Sequence, residues 1–512
     1  MEEAYVERIN AIELKHITKQ FGKVIANHDV NLTVNYGEIL SILGENGSGK
    51  TTLMNMLSGI YYPDSGQIFM EGNEVTICSP KDSFALGIGM IHQHFKLVDV
   101  LTAAENIVLG LPKLPGETMK TVTDKINTIT GKYGFELDPN QKIYNMSVSQ
   151  KQTVEIVKML YRGAKILILD EPTAVLTPQE TEKLFAVLRK MKEAGSAIII
   201  ITHKLHEVLS LSDRVAILRK GESIATVMTS EATESSLTEM MVGKKVDLNI
   251  ERPEVEKTKE RLLVKGVTVE NEEGVNAVND VTFTAYGGEI LGIAGIAGSG
   301  QKELLEAIAG LAHVSKGTIT YMHKGEPNNI TNKKASEIND LGVRLAFVPE
   351  DRLGMGLVGS MGMTGNMMIR SYRKGKSIFT NRKEPKELAE TIVEALEVKT
   401  PSIHTPVRRL SGGNVQKVLV GREIASAPTV LMSAYPVRGL DINSSYTIYN
   451  LLNEQKKKGV AVIFVGEDLD VLLELCDRIL VLCGGKVSGI VDGRNTSKEE
   501  VGMMMTKLKE EK

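Results

Sequence analysis

The chain contains no tryptophan, and aromatic residues make up only 4% of it. Base-stacking surfaces for nucleic acid depend on aromatic side chains, so such a surface is not expected here. The net charge of −3 also gives no overall basic field that would attract a phosphate backbone. The three cysteines, Cys78, Cys476 and Cys483, form no metal-ligand pattern, and we expect a reduced, cytosolic chain.

Long apolar runs are also absent from the sequence. A membrane-spanning helix needs about 20 consecutive apolar residues, whereas an aliphatic run such as Ala197–Ile201 is long enough only for a strand. The segment Met1–Arg8 lacks the basic region and apolar core of a signal peptide. If this protein acts at a membrane, we expect other chains to supply the membrane-spanning part.

The 512 residues are too many for one hydrophobic core, and the sequence repeats itself. Residues 30–40 match residues 281–291 at an offset of 251, which holds through the glycine-rich loop that follows. Further along, Ser147 matches Ser411 and Pro172 matches Pro436 at an offset of 264, so the second copy has gained a short insertion. Unrelated domains would not keep so many fixed registers, and we predict two copies of one domain.

Charge and periodicity predict the domain limits. Residues 1–245 form the first domain, 246–260 a linker and 261–512 the second domain, because the linker region is charged and lacks an apolar period. Short β-branched runs such as Ile39–Leu43 predict buried parallel strands. They alternate with helices, one of which we predict from Gln179 to Ala194. This alternation indicates an α/β fold with a parallel sheet.

The glycine-rich loop Gly44–Thr51, with the sequence GENGSGKT, follows the strand Ile39–Leu43 and precedes a helical segment. In that context its glycines let backbone N–H groups face phosphate oxygens, and the helix N-terminus adds a positive dipole. Lys50 is expected to reach the β- and γ-phosphates, and Thr51 to place its hydroxyl on Mg²⁺. We therefore predict a nucleotide-binding loop rather than a glycine-rich turn without a ligand.

Side chains near the ends of other strands complete a candidate catalytic site. Asp170 and Glu171 follow an aliphatic run. Asp170 is suited to binding Mg²⁺, and Glu171 can polarise the attacking water. The alternative is that the two carboxylates only cap the end of a strand. His203 suits sensing of the γ-phosphate, although a lone histidine after a strand is more often structural. Gln93 can couple Mg²⁺ occupancy to the loop that follows it. Phe21 either stacks on adenine or packs in the core.

The segment Leu410–Lys417, with the sequence LSGGNVQK, lies ahead of a helical segment in the second copy. Small residues before a helix place backbone N–H groups and a hydroxyl around an anion. With this segment, the motifs resemble those of the ABC transporter ATPases over nearly the whole chain. In that family each ATP lies between the phosphate loop of one domain and the signature segment of the other.

The resemblance implies two tandem P-loop ATP-binding-cassette domains, each with a mainly parallel sheet core, an antiparallel β subdomain and a helical signature subdomain. It implies that ATP and Mg²⁺ bind, and it assigns Glu171 and His203 to catalysis. The residues that it assigns to the metal are Thr51, Gln93 and Asp170. The residues that it assigns to ATP are Phe21, Gly44, Glu45, Asn46, Gly47, Ser48, Gly49, Lys50, Thr51, Thr52, Gln93, Ser411, Gly412, Gly413 and Asn414.

The two copies differ at the positions that carry this chemistry. The second copy has Gln301 and Lys302 at the positions of Lys50 and Thr51, and further replacements match Asp170, Glu171 and His203 with Ala434, Tyr435 and Glu467. The signature of the first copy, Met146–Gln150, has lost both glycines, whereas that of the second copy keeps them. The losses fall on complementary parts of one site. We therefore predict one hydrolysing composite site and one structural or regulatory site.

An intact cassette fused to a degenerate one resembles the ATPases of simple-sugar importers, whose second half carries a segment like Pro349–Arg352. Residues 92–98 and 164–180 are most similar to the nucleoside-importing branch. The resemblance implies two transmembrane permease subunits and an extracytoplasmic solute-binding protein as partners, no nucleic acid, and a peripheral position at the cytoplasmic face of the cell membrane. Permease contacts are expected after Gln93 and after Glu350.

Two alternatives belong to other functional classes. One is a soluble tandem-cassette ATPase that acts on ribosomes or nucleic acid; such factors usually have two intact sites and a long basic linker, which this chain lacks. The other is an NTP-binding regulator without turnover, which Glu171 and His203 together disfavour.

Overall fold

The computed structural model describes residues 10–93, 95–112, 116, 118–174, 176–244, 249–255, 259–271, 274–323, 325–341, 343–372 and 381–508. It divides into two compact units, the first unit (Met1–Asp247) and the second unit (Leu248–Lys512). The predicted boundary between residues 245 and 246 lies outside the described residues, as do His94 and Val175 in the segments compared with the nucleoside-importing branch. The predicted domain limits therefore stay predictions.

The first unit contains a mainly parallel sheet and an antiparallel sheet. Its described strands are β1 (Asn10–Phe21), β2 (Val24–Asn35), β3 (Ile39–Leu43), β4 (Ser65–Met70), β5 (Asn73–Val75), β6 (Ile88–Ile91), β7 (Ile166–Asp170), β8 (Ala197–Thr202), β9 (Arg214–Arg219) and β10 (Glu222–Met228). The larger sheet has the order β10-β9-β3-β8-β7-β6, parallel except between β9 and β10. The antiparallel sheet has the order β2-β1-β4-β5. Both predicted sheet types are confirmed.

The helices of the first unit cover the parallel sheet and form a separate cluster. The described helices are α1 (Lys50–Leu57), α2 (Pro80–Ala85), α3 (Ala103–Val108), α4 (Met119–Tyr133), α5 (Val148–Tyr161), α6 (Pro178–Glu193), α7 (Leu205–Leu211) and α8 (Glu234–Val242), with short 3-10 helices at Ile143–Asn145 and Thr229–Glu231. Helix α6 is the one predicted from sequence; Thr177 caps it in a capping box with Glu180. Residues of α3, α4 and α5 form their own core around Ile107, Ile126 and Val154, which is the helical signature subdomain.

The second unit repeats this architecture. Its described strands are β11 (Glu260–Glu270), β12 (Asn276–Tyr286), β13 (Ile290–Gly295), β14 (Val314–His323), β15 (Glu326–Asn329), β16 (Leu345–Val348), β17 (Val430–Ala434), β18 (Ala461–Val465), β19 (Arg478–Cys483) and β20 (Lys486–Asp492). Their orders, β16-β17-β18-β13-β19-β20 and β12-β11-β14-β15, match those of the first unit strand for strand. The described helices are α9 (Gln301–Ile308), α10 (Ala335–Asp340), α11 (Met363–Met368), α12 (Lys383–Ala395), α13 (Gly412–Ala425), α14 (Ile442–Lys457), α15 (Leu469–Leu475) and α16 (Lys498–Thr506), with a π-helix at Arg352–Gly356 and a 3-10 helix at Val407–Arg409.

Burial on both faces explains why the central strands read as continuous aliphatic runs. Every residue of β3, β7 and β8 is buried, because one face packs against the antiparallel sheet and α1 and the other against α5 and α6. Parallel strands bring their carboxyl ends to one edge of the sheet, and the loops that follow β3, β6, β7 and β8 therefore carry the candidate site.

The part of the predicted linker that the structure describes packs on the second unit. Ile250 is buried in the core of that unit. Arg252 Nη1 donates hydrogen bonds to the carbonyl oxygens of Leu473 (2.9 Å) and Cys476 (2.7 Å). Among the described helices of the whole chain, none is long and apolar enough to cross a membrane.

Candidate nucleotide site

The loop between β3 and α1 depends on glycine for two reasons. Gly47 and Gly49 have positive φ angles of 81° and 96°, which side-chain-bearing residues rarely adopt. Packing is also close: a Cβ at Gly49 would lie 2.3 Å from the carbonyl oxygen of Ala26, and one at Gly44 would lie 2.3 Å from that of Leu218. The loop leads directly into α1, whose first N–H groups have no partner within the helix and suit an anion.

Lys50 is the cation of this loop. Its side chain is buried, and Nζ donates to the carbonyl oxygens of Gly44 (2.7 Å) and Glu45 (3.0 Å). Burial lowers the pKa of Lys50, while the charges of Glu171, Asp170 and Glu45 act in the opposite direction. A desolvated ammonium gains most from an anionic partner, so Lys50 is suited to a phosphate oxygen.

The other predicted loop residues differ in exposure. Asn46 and Thr51 are exposed, and Glu45 and Thr52 are half-buried. Ser48 is buried, and no described residue forms a hydrogen bond with its Oγ. A buried hydroxyl without a partner is uncommon, because leaving it unsatisfied costs about 1–3 kcal/mol.

Asp170 ends β7 and faces Thr51 at the start of α1. Burial, followed by the neighbouring charge of Glu171, raises the pKa of Asp170 to about 6. A hydrogen bond with the Thr51 side chain and the charge of Lys50 act against this rise. Burial and the charge of Glu171 both disfavour the ionised form of Asp170. A cation bound beside this carboxylate would therefore stabilise its ionised form.

Glu171 joins two other loops. Its Oε2 accepts a hydrogen bond from Gln93 Nε2 at 3.1 Å, and its Oε1 lies 2.9 Å from His203 Nδ1. The hydrogen bond with His203 is the main cause of a lowered pKa of Glu171, with further help from Lys50 and Lys204. Glu171 also has a positive φ of 47°, a left-handed conformation that is uncommon for a residue with a side chain.

Sequence reasoning missed a second layer of contacts behind this carboxylate. Thr173 Oγ1 donates to Glu207 Oε2 at 2.6 Å, and Lys204 Nζ donates to the Thr173 carbonyl at 3.2 Å. Gln152, on the helix after the degenerate signature, donates to the Pro172 carbonyl at 2.8 Å. The proximity of Lys204 to His203 in sequence was the only available signal; nothing pointed to Glu207.

Phe21 lies at the end of β1, with 42% of its surface exposed. It packs edge-on against Tyr61, with ring centroids 5.1 Å apart, and Lys19 Nζ lies 5.5 Å from its ring centroid. The structure therefore does not place Phe21 in the hydrophobic core. An exposed ring with an aromatic neighbour is available for stacking.

The arrangement around Asp170 fits Mg²⁺. A hydroxyl (Thr51), a carboxylate (Asp170) and an amide (Gln93) supply the hard oxygen ligands that this ion prefers. Among the described residues there is no cluster of three or more histidine, cysteine, aspartate or glutamate side chains that could hold a metal alone.

The equivalent loop of the second unit keeps its shape but not its chemistry. Gly298 and Gly300 have φ angles of 85° and 91°, close to those in the first unit. The buried Gln301 donates from Nε2 to the carbonyl oxygen of Ile296 at 3.3 Å. Lys302, at the position of Thr51, is directed instead toward Glu306, with a separation of 3.8 Å. The loop thus presents a neutral amide where the first unit presents an ammonium.

The strand ends of the second unit are also rebuilt. Tyr435 replaces Glu171 with the same backbone, a φ of 46°, and burial followed by the charges of Glu467 and Glu350 raises the pKa of Tyr435 to about 12. A cavity of about 370 Å³ lies beside it, lined by Lys302, Glu306, Phe347, Glu350, Asp351, Met355 and Ala434. Glu467, at the position of His203, replaces the imidazole by a carboxylate.

The two signature segments use their serines differently. Ser147 caps α5: its Oγ accepts from the backbone N–H of Gln150 at 3.2 Å. Ser411 makes no such cap on α13; its hydroxyl accepts from Asn414 Nδ2 at 2.7 Å. Only the serine of the second unit therefore has a hydroxyl that is not bound to the backbone of its own helix.

Comparison with known proteins agrees with this geometry. A family model described as ABC transporter matches residues 27–174 and 278–433. The guanosine import ATP-binding protein NupO of Bacillus subtilis (strain 168) is 40% identical over 499 residues, which are 96% of this chain and 97% of that protein. The nucleoside import ATP-binding protein NupA of Lactococcus lactis subsp. cremoris (strain MG1363) is 39% identical, with the same coverage. The glucose import ATP-binding protein TsgD13 of Haloferax volcanii is 38% identical over 97% of this chain and 95% of its own length.

The two matched segments cover more than half of the chain and fall at equivalent places in its two units. The relatives cover nearly all of it, and each is named as the ATP-binding protein of an importer. The phosphate loop, the carboxylates after β7 and the tandem repeat agree with that kinship. The chain belongs to the ABC transporter family and is an ATP-hydrolysing subunit of a membrane importer.

Proposed function

We propose that this ATPase drives the uptake of nucleosides. Support comes from two relatives that are named for guanosine and nucleoside import, at 40% and 39% identity, and from the resemblance of residues 92–98 and 164–180 to that branch. A glucose-importing relative is 38% identical, so simple sugars are the competing solute class. No residue of this chain selects the solute, because the solute passes through the permease and its binding protein.

Hydrolysis takes place at one composite site in this proposal. The first unit supplies the phosphate loop, Asp170, Glu171 and His203, and the second unit supplies the signature turn Ser411–Gly413. The observation that carries this assignment is the glycine pair: the signature turn of the second unit keeps Gly412 and Gly413, whereas the first unit has Val148 and Ser149 at these positions. Without side chains at these two positions, the backbone N–H groups at the start of α13 can approach a γ-phosphate closely.

Each residue of the first unit has a distinct role in the proposed reaction. Lys50 and the loop N–H groups bind the β- and γ-phosphates, and the ring of Phe21 stacks on adenine. Glu171 orients and polarises the attacking water, and His203 holds Glu171 and contacts the γ-phosphate. Asp170, Thr51 and Gln93 hold Mg²⁺, which neutralises phosphate charge.

The proposed partners are two transmembrane permease subunits and an extracytoplasmic solute-binding protein, with this chain peripheral at the cytoplasmic face of the membrane. Exposed apolar side chains follow the strands that precede Gln93 and Glu350. They include Val98 and Val100 in the first unit, and Leu353, Met355, Val358 and Met361 in the second. Such side chains on two equivalent segments suit docking to two similar permease chains.

Reconstitution tests the solute class. The chain is assembled in proteoliposomes with its permease subunits and binding protein, and ATP hydrolysis is measured with guanosine, adenosine, ribose, glucose or galactose. Purine nucleosides should stimulate hydrolysis, whereas the sugars should not. Stimulation by a sugar alone would remove the nucleoside assignment and leave the importer intact.

A matched pair of serine variants tests the composite site. Ser411→Ala should raise KM for ATP about threefold to tenfold, because one hydrogen bond to a charged group is lost. Ser147→Ala removes only a helix cap and should cost about 1 kcal/mol of stability with little effect on KM. Equal kinetic effects of the two substitutions would contradict the assignment.

A further inference from the structure

The three loops after β6, β7 and β8 are joined differently from their counterparts in the second unit. In the first unit the carboxylate of Glu171 is the link, since it accepts from Gln93 on one side and meets His203 on the other. Gln93 and Glu350 occupy equivalent places, two residues after β6 and β16. His203 and Glu467 likewise match. In the second unit both flanking positions are therefore carboxylates, and Tyr435 cannot join them.

Arg438 joins these two carboxylates in the second unit. Its Nη1 forms an ion pair with Glu350 Oε1, and its Nε lies 3.0 Å from Glu467 Oε1. The guanidinium carbon is also 6.0 Å from the ring centroid of Tyr435. The first unit has Ala174 at the equivalent position. The charges are thus inverted between the units. In the first unit the carboxylate of Glu171 lies between the other two loops, whereas in the second unit the guanidinium of Arg438 lies between two carboxylates.

A second arginine connects this group to the signature turn of the same unit. Arg352 Nη2 donates to the carbonyl oxygen of Arg438, and Arg352 Nη1 lies 3.3 Å from where a Cβ on Gly412 would be. On the other side of the turn, Asp441 Oδ2 lies 3.1 Å from the corresponding point on Gly413. The backbone of the signature turn therefore fits between Arg352 and the start of α14.

We propose that Arg438 and Arg352 are positioning residues for the signature turn Ser411–Gly413. Arg438 ties the loops of Glu350 and Glu467 together by ion pairs, and Arg352, bound to the Arg438 carbonyl, packs against the turn at Gly412. The role deepens the proposed function and rests on it, because its effect on turnover depends on that turn meeting ATP. Arg438 takes no part in chemistry, so the bridge that it forms can persist through the cycle.

The geometry favours a network over a chance surface pair. A single exposed ion pair contributes about 0–1 kcal/mol, and many have no function. Here one guanidinium meets two carboxylates that belong to separate loops, and its own backbone carbonyl is bound by another arginine. Arg438 is thus a cation that the carboxylates of Glu350 and Glu467 share beside the half-buried Tyr435.

Steady-state ATPase kinetics of the full importer complex test the role. Arg438→Gln should raise KM for ATP about threefold to tenfold while kcat changes less than about twofold, since Glu171 and His203 are untouched. Arg438→Lys keeps one ion pair but loses the planar guanidinium that reaches both carboxylates. Its KM should therefore lie between those of the unmodified complex and of Arg438→Gln. As a matched control, Lys457→Gln breaks an exposed pair with Glu454 on α14 (2.8 Å) and should leave KM unchanged.

A second variant guards against loss of folding. Glu350→Gln combined with Glu467→Gln leaves Arg438 in place, and should raise KM to the same extent; adding Arg438→Gln to it should have no further effect. Unchanged KM in both the arginine and the double glutamate variants would overturn the positioning role. If Ser411→Ala raises KM in the same assay, only this inference fails; if Ser411→Ala is also without effect, the composite site fails with it.

Discussion

Glu171 and Tyr435 share one strained backbone conformation but not one chemistry. Their φ angles are 47° and 46°, and their N–H groups donate to the carbonyl oxygens of Ile201 and Val465 at 2.9 Å in both cases. The second unit has therefore kept the turn that presents a catalytic carboxylate and replaced the carboxylate by a phenol. A phenol whose pKa is raised to about 12 stays protonated at neutral pH and cannot act as a base.

Asp170 gives the nucleotide-free chain a pH-dependent cost in stability. The pKa of this carboxyl is about 6 in the folded chain against an ordinary value of 3.8, so its ionised form is disfavoured above pH 6, and the cost shrinks as the pH falls. Asp170→Asn should stabilise the chain by up to about 3 kcal/mol at pH 8 and by roughly half of that at pH 5. Chemical denaturation at the two pH values measures this.

Asp64 provides a control, because its pKa is lowered whereas that of Asp170 is raised. A hydrogen bond from Lys19 and another from the Gln20 backbone lower the pKa of this exposed carboxyl. Asp64→Asn should therefore destabilise the chain about equally at pH 8 and pH 5, because the stability from a lowered pKa is lost only below the ordinary value of 3.8. A stability gain from Asp170→Asn that is the same at pH 5 and pH 8 would show that Asp170 is not perturbed.

Two neighbouring glycines separate backbone strain from steric conflict. Gly47→Ala meets open space and should cost only the left-handed conformation, about 1–2 kcal/mol. Gly49→Ala adds a Cβ 2.3 Å from the carbonyl oxygen of Ala26 and should distort the start of α1, with a larger loss of stability. Melting temperatures without nucleotide measure both, and equal losses would contradict the packing argument.

Phe21 should affect ATP affinity rather than folding. Because 42% of its surface is exposed, Phe21→Ala should leave the melting temperature nearly unchanged while weakening ATP binding about twofold to tenfold, the magnitude of one aromatic stacking contact. Ile25→Ala, at an exposed apolar side chain on β2, is the control and should change neither the melting temperature nor the affinity for ATP. A large drop in melting temperature with unchanged affinity would assign Phe21 a packing role instead.

Local patterns made the fold and the position of the site predictable from the sequence. Aliphatic runs marked β3, β7 and β8 because both faces of these strands are buried, and Thr177, Pro178 and Gly195 bounded α6 through capping chemistry. Contacts between distant loops left no such pattern. The bond of Glu171 with Gln93 spans 78 residues, and the pairing of Arg438 with Glu350 spans 88. Side chains that meet only in the folded sheet, such as Thr173 and Glu207, could not be found from spacing.

The central claim is that one site of two hydrolyses ATP, and steady-state turnover of Glu171→Gln and Tyr435→Phe in the reconstituted importer tests it most directly. Glu171→Gln keeps the shape of the side chain without the charge and should reduce hydrolysis about 100-fold or more. Tyr435→Phe keeps the ring over Arg438 and should leave hydrolysis within about twofold of the unmodified complex. Comparable losses in both variants, or about half of the activity left in Glu171→Gln, would contradict a single hydrolytic site.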